Sequence, residues 1–211
     1  MRKVSYAIVI IMSLFVFVGC GNKKTDSPVA QEGSNRTENN AEVNYEKANH
    51  EVAQAMVQTD NCSDYKMMKR EADVVVKGKK ASEKFVDSLS GNETKYLLAQ
   101  IEITEVYKDG TNLALKQGRT INVHENEEFE PANNTIFHID DYRKMEKGKE
   151  YYLFLKYTPE YDRYYILGVH RGKVPVDTSE KIFYKDNNAA GEEQDHDEVH
   201  KIIKEVQKKY D

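Results

Sequence analysis

The chain has 211 residues, 39% of them hydrophobic and 32% charged, with 36 acidic against 31 basic side chains and a net charge of −5. That length suits one domain with appendages; the composition excludes a polytopic membrane protein, and two cysteines exclude a disulfide-built scaffold. Without residues 1–19, which include Arg2 and Lys3, 29 bases face 36 acids, so nucleic acid is not expected as a partner.

Met1-Arg2-Lys3 is a short cationic start, and Val4–Val18 is an uncharged, apolar run. The run is shorter than the roughly 20 residues of a bilayer-spanning helix and fits the apolar region of a secretory signal. It ends at Phe17-Val18-Gly19-Cys20, followed at once by the polar Gly21-Asn22-Lys23-Lys24. This junction resembles a bacterial lipoprotein signal, in which a small residue precedes a cysteine that is acylated and becomes the new N-terminus. The resemblance implies cleavage between Gly19 and Cys20 and lipidation of Cys20. It also implies a membrane partner reached through that lipid, and a location at the outer face of the cytoplasmic membrane. Two or more acyl chains are what stable anchoring needs. Residues 20–42, polar and without hydrophobic period, read as the lipidated cysteine and a disordered tether.

Residues 43–72 read as a helical lead-in. Ala48, Val52, Ala55 and Met56 form a narrow stripe that predicts a helix over Asn44–Gln58. A second, shorter helix is expected after Ser63 as N-cap, with Tyr65, Met68 and Ala72 along one side. Cys62, with no intramolecular disulfide partner if Cys20 is acylated, is expected as a small buried residue.

From Asp73 to residue 185 the texture is that of strands. Val74-Val75-Val76 is β-branched, and Tyr96–Tyr107 alternates, with Leu97, Ala99, Ile101 and Ile103 on one face. Val106 breaks that alternation, which predicts a bulge, the device that curls a small sheet. Lys108-Asp109-Gly110 is a turn. Ile121 with Val123 predicts a short strand, and Ile136–Ile139 another. Glu150–Tyr157 and Arg163–Val169 are apolar on both faces and should form the central hairpin of the core. Val174–Val176 and Lys181–Tyr184 close the β region.

Residues 186–211 read as a linker and an amphipathic C-terminal helix. Asp195 and Glu198 have capping-box spacing, and Val199, Ile202, Ile203, Val206 and Tyr210 make the apolar stripe. The fold expected is α+β, mainly β: a small OB-like barrel of five strands or slightly more, with N-terminal helices and this C-terminal helix.

Ala72–Lys79 opening the β region, the strand ending Glu105-Val106-Tyr107-Lys108-Asp109-Gly110, then Lys147–Leu155 and Tyr164–Val169 form an ordered set over about residues 64–177. In that order the chain resembles small Gram-positive lipoproteins whose domain is of the tissue-inhibitor-of-metalloproteinase/netrin type. The resemblance implies a five-stranded OB barrel with flanking helices. Inhibitors of that type bind the protease metal through the amine of a disulfide-tied N-terminal cysteine. Here a helical lead-in and a tether precede the barrel and no disulfide pair exists, so that mechanism is not implied.

No phosphate loop, dinucleotide fingerprint, nucleophile elbow or Cys/His dyad is present, so no catalytic residue and no cofactor are expected. His196 and His200 share one helix face and are the weak candidates for a metal, although His-Asp-Glu-Val-His is not a zincin motif. Glu125–Glu130 and Asp140-Asp141 lack calcium-loop spacing and read as solvated acidic loops. Tyr151 and Tyr165 are expected in the core, and Tyr157, Tyr161 and Tyr164 on an exposed binding rim. The function expected is a non-enzymatic binding module whose partner is an unknown envelope protein or peptide. The alternatives are an envelope hydrolase or metal-dependent enzyme, favoured by ionisable groups converging in a pocket, and a protease-inhibitor-like protein.

Overall fold

A computed structural model describes residues 43–54, 62, 64–88, 93–185 and 193–210, with side chains of the last stretch from His196 onward. They belong to one compact unit, Ala41–Asp211. The signal, Gly19, Cys20, the tether and Ser63 lie outside the described residues, as does most of the linker before the last helix. Among the described residues no helix is long and apolar enough to cross a membrane.

The lead-in differs from its expected form. A single 3₁₀ turn, Tyr45–Lys47, is capped by Asn44, whose side chain accepts from the Lys47 N–H. The chain then enters strand β1, Asn49–Ala53, instead of a helix over Asn44–Gln58. Tertiary pairing overrides a weak stripe of small residues: β1 runs parallel to β5 (Thr135–Ile139), from Asn49 against Thr135 to Ala53 against Ile139. Ala55 and Met56 lie outside the described residues. Helix α1, Tyr65–Glu71, follows; Asp64 is its N-cap, accepting from the Met67 N–H at 2.8 Å, and Met68 is its buried residue. The Lys108 ammonium closes its other end, donating to the carbonyls of Lys69, Arg70 and Ala72.

Strands β2 (Val74–Asp87) and β3 (Lys95–Asp109) pair antiparallel along most of their length. Val75 lies against Lys108 and Val76 against Val106, so Tyr107 is the extra residue of the bulge expected there. Gly78 lets the two strands touch, since a Cβ there would lie 2.4 Å from Ile101 Cγ2. Strand β4, Thr120–Glu130, is much longer than the Ile121–Val123 strand expected, because the acidic run Glu125–Glu130 continues it. Strands β6 (Glu150–Thr158) and β7 (Arg163–Ile166) form the expected hairpin, and β8 (Lys173–Pro175) pairs with β6. Near the C-terminus Phe183 makes only an isolated bridge to Tyr142.

The described strands form one sheet in the order β1-β5-β4-β3-β2-β6-β7, and an additional parallel pairing of β4 with β7 joins Val123 to Tyr164 and His124 to Tyr165. The class is thus α+β, mainly β.

Helix α2, Glu193–Tyr210, begins two residues before Asp195, which therefore is not its N-cap. Its stripe Val199, Ile202, Ile203 and Val206 is buried against Val75, Tyr152, Phe154, Met68 and Cys62. On the other face of the same strands Val74, Val76, Tyr151, Leu153 and Leu155 join Ala99, Ile101, Ile121 and Val123 in a second core. Two cores, one on each face, explain why β2 and β6 are apolar at successive positions. Tyr151 is in the core as expected, and Tyr165 is half-buried.

Candidate functional site

Period-two alternation along β4 points Ile121, Val123, Glu125, Glu127 and Phe129 to the buried side. Two carboxylates of the run read as a solvated loop are therefore inside the protein with no solvent exposure. They are the centre of a buried ionic cluster that corrects that reading. An unpaired carboxylate cannot stay charged there, so each needs partners.

Glu125 meets Lys80, a β2 residue that is also fully buried. Lys80 Nζ lies 2.5 Å from Glu125 Oε1, donates to the Met145 carbonyl at 2.7 Å, and pairs with Glu83. Glu125 Oε2 accepts from the Tyr142 hydroxyl at 3.0 Å and from the Met145 N–H at 2.6 Å. Burial pulls the Lys80 ammonium pKa down, but Glu125 and then Glu83 outweigh it and the net shift is upward. Burial raises Glu83 while Lys80 and Lys144 lower it, and the lowering prevails. The Lys144 ammonium also lies 3.8 Å from the centre of the Tyr45 ring.

Glu127 collects a second group of donors on one oxygen. Oε1 receives the Tyr45 hydroxyl at 3.0 Å, the Lys144 N–H at 3.2 Å and His138 Nδ1 at 3.0 Å. Its other oxygen has no hydrogen-bond partner among the described residues. His138 Nδ1 also lies 3.0 Å from the Tyr142 carbonyl, and its Nε2 lies 2.9 Å from His50 Nδ1. Tyr184 stacks flat on the His138 ring, centroids 3.5 Å apart. Burial, then Glu127, pushes the Tyr45 hydroxyl far above its ordinary value, and burial with Glu125 does the same to Tyr142. Neither tyrosine supplies a proton at neutral pH.

Lys173 on β8 extends the cluster. Its ammonium lies 4.1 Å from the centre of the Tyr142 ring and donates to the Arg143 carbonyl. Burial lowers it to about 8, against the opposing pull of Glu125, Glu180 and Glu127. Tyr151 donates to Glu180 and accepts from the Glu146 N–H at 2.7 Å. The arrangement binds β1, β2, β4, β5 and β8 to the loop at Asp140–Lys149. None of its side chains lines either of the two described hollows.

Those hollows lie on the helices. Tyr65, Lys66, Lys69, Arg70, Lys108 and Lys209 line one of about 560 Å³. Asp197, His200, Lys201, Lys204, Glu205 and Lys208 line another of about 390 Å³. Lys66, Lys69, Arg70, Lys108 and Lys209 make the first of these a basic face on an acidic chain, whereas Asp197 and Glu205 share the second with its lysines. Nothing in the composition located the basic face, because its lysines belong to α1, β3 and α2, which only the fold brings together.

Of the rim tyrosines, Tyr161 is 39% exposed, Tyr157 is half-buried, and Tyr164 is 2% exposed within the core. Tyr164 therefore corrects the expected rim: its place in β7, opposite Tyr157 and beside Val123, turns it inward. His196 and His200 both contact Phe183, His196 stacked on its ring at 3.6 Å and His200 edge-on at 5.8 Å. His196 Nε2 is 3.9 Å from Asp141 Oδ2. Among the described residues no group of three or more His, Cys, Asp or Glu side chains is placed to hold a metal. Cys62 is buried in the core under α2. No protein-family model and no curated protein matches the chain.

Proposed function

We propose that the protein is a lipoprotein anchored through Cys20 at the outer face of the cytoplasmic membrane, acting there as a non-enzymatic binding module. One observation carries the choice of binder over hydrolase. Lys80, Glu125, Glu127 and His138 are buried and engaged with one another, whereas none of them lines either described hollow. A general acid or base must reach a substrate proton, and these groups reach only protein. The body is read as an OB-like barrel. What supports this is the circuit of pairings β2-β3-β4-β7-β6-β2, in which only β4 with β7 is parallel. A fold of this kind hosts many functions, so the surface has to choose among them.

The basic face takes an acidic segment of an envelope protein. Lys66, Lys69 and Lys209 supply charge, and Tyr65 in the same hollow supplies contact area with a polar tip. Complementary charge of this sort gives fast, salt-dependent association.

Two measurements test the reading. In a Gram-positive host the wild type should fractionate with membranes and carry the added mass of lipid, while Cys20→Ala is released or unprocessed; a soluble, unmodified wild type overturns the anchor. Cross-linking on intact cells should then yield an acidic partner lost in the triple variant Lys66→Glu, Lys69→Glu, Lys209→Glu. A partner retained by that variant overturns the docking face. Binding of the purified protein to anionic vesicles, abolished by the same variant and with no protein cross-linked, would make the face a lipid contact instead.

A further inference from the structure

His50 and His138 occupy a chain of contacts whose proton count can be read from the partners. At one end His50 Nε2 lies 3.0 Å from the Tyr45 carbonyl oxygen. At the other, His138 Nδ1 lies 3.0 Å from both the Tyr142 carbonyl oxygen and Glu127 Oε1. A carbonyl only accepts, so both outer nitrogens carry hydrogen. A neutral imidazole has one N–H, and each ring has already directed it outward. The inner nitrogens, His50 Nδ1 and His138 Nε2, are nevertheless 2.9 Å apart, a hydrogen-bond distance. Two lone pairs do not make that contact; one more proton does. Turning either ring over would put carbons at both of its polar contacts. Placing the proton on Glu127 leaves the count unchanged, and Glu127 Oε1 already accepts from Tyr45 and the Lys144 N–H.

We propose that His50 and His138 share one proton between Nδ1 and Nε2, and that this proton is a latch closing strand β1 onto the edge of the sheet in a pH-dependent way. The charge has its counter-ion at contact in Glu127. The groups facing the pair from the neighbouring elements are Tyr45 before β1, Glu127 from β4, Tyr142 and Lys144 from the loop after β5, and Tyr184, stacked on both rings. Lys144 is paired with Glu83, which offsets its repulsion of the imidazolium.

Strand β1 is suited to conditional attachment. It has five residues, none fully buried, and it pairs only with β5 among the described strands. His50 is its side-chain bond to the buried cluster. When the proton leaves, two lone pairs oppose each other and Glu127 loses its counter-charge, so the strand opens and uncovers the edge of β5. Gain of the shared proton closes the latch and its loss opens it, so acid favours the closed strand and alkali the open one. β1 is also the first strand after the stretch read as a tether. Its release with the preceding turn frees residues 43–54, up to about 40 Å of chain.

The test is amide hydrogen exchange on the full-length protein in detergent between pH 5.5 and 8.5, corrected for intrinsic rates. Protection in Asn49–Ala53 should fall at least about tenfold as pH rises, while Tyr151–Leu155 in β6 stays protected. In His50→Gln the protection of β1 should no longer depend on pH. A flat profile in the wild type, or a fall that persists in His50→Gln, overturns the latch. Independently of any variant, imidazole ¹⁵N spectra of the wild type at pH 6 should show three protonated nitrogens across the two rings. Two would overturn the shared proton.

Discussion

Lys80 on β2 and Glu125 on β4 meet at 2.5 Å with neither side chain exposed to solvent, and this pair is the centre of the buried polar cluster. The strands carrying them are not neighbours: β3 lies between them in the sheet order, so the bond crosses the interior. Pairs of this kind cost much desolvation, and removing one partner strands the other's charge. Glu125→Ala should therefore destabilise the protein by about 3–5 kcal/mol. The double variant Lys80→Met, Glu125→Leu should be markedly less destabilised than the single one, because no charge remains stranded. Urea unfolding of the three proteins checks this; a double variant as unstable as Glu125→Ala would mean that the pair is not a closed ion pair.

His124 lies on β4 between Val123 and Glu125 and is held neutral. Burial, then Arg163, lowers its pKa to about 4, and burial lowers His170 to about 3. Both rings are held neutral, so the unfolded chain binds more protons than the folded one below about pH 6.5, and stability falls as the pH drops. For His124 alone the loss reaches about 3 kcal/mol by pH 4. His124→Phe keeps a ring between Tyr96 and Tyr165 and should flatten the acid limb of stability against pH. An unchanged acid limb in that variant would show that His124 is not held neutral by the fold.

Much of the scaffold was legible in the sequence because its signals are local. The Glu150–Thr158 and Arg163–Ile166 hairpin is announced by apolar runs between turns, and the bulge at Tyr107 by the broken alternation at Val106. The buried carboxylates were legible in principle: Ile121, Val123, Glu125, Glu127 and Phe129 keep period two, and only the density of charge in Glu125–Glu130 suggested solvent. Lys80 gives no such sign, since it sits among other lysines and its burial depends on Glu125, 45 positions away. His50 was hidden by the Ala48–Val52 spacing, because a parallel pairing with a strand some 85 residues later leaves no local trace. The β4–β7 pairing is of the same kind.

The rim tyrosines separate by burial. Tyr164 lies in the core and Tyr161 at the surface. Tyr164→Ala should cost about 3–5 kcal/mol, the range for losing a large buried aromatic, whereas Tyr161→Ala should stay within about 0.5 kcal/mol. Thermal unfolding of the two variants decides it, and equal effects would contradict the inward turn of β7.

Gly172 is the tightest point of the β6–β8 corner. A Cβ there would lie 2.5 Å from the Leu167 carbonyl oxygen and 2.8 Å from that of Phe154. Both are backbone atoms held by hydrogen bonds: Gly172 N donates to Leu167 O, Leu167 N donates to Phe154 O, and Phe154 N donates to Gly172 O. No rotamer change relieves the contact, so the strands themselves must shift. At Gly78 the closest atom is instead a side-chain methyl, Ile101 Cγ2, and the nearest backbone atom, the Glu102 carbonyl oxygen, is 3.1 Å away. Gly172→Ala should thus destabilise by about 3 kcal/mol and Gly78→Ala by less, about 1–2 kcal/mol, within the usual range for overpacking. The ordering of the two urea midpoints is the measurement. A Gly172→Ala protein as stable as the wild type would mean that the corner between β6 and β8 is looser than its closed triangle of backbone bonds requires.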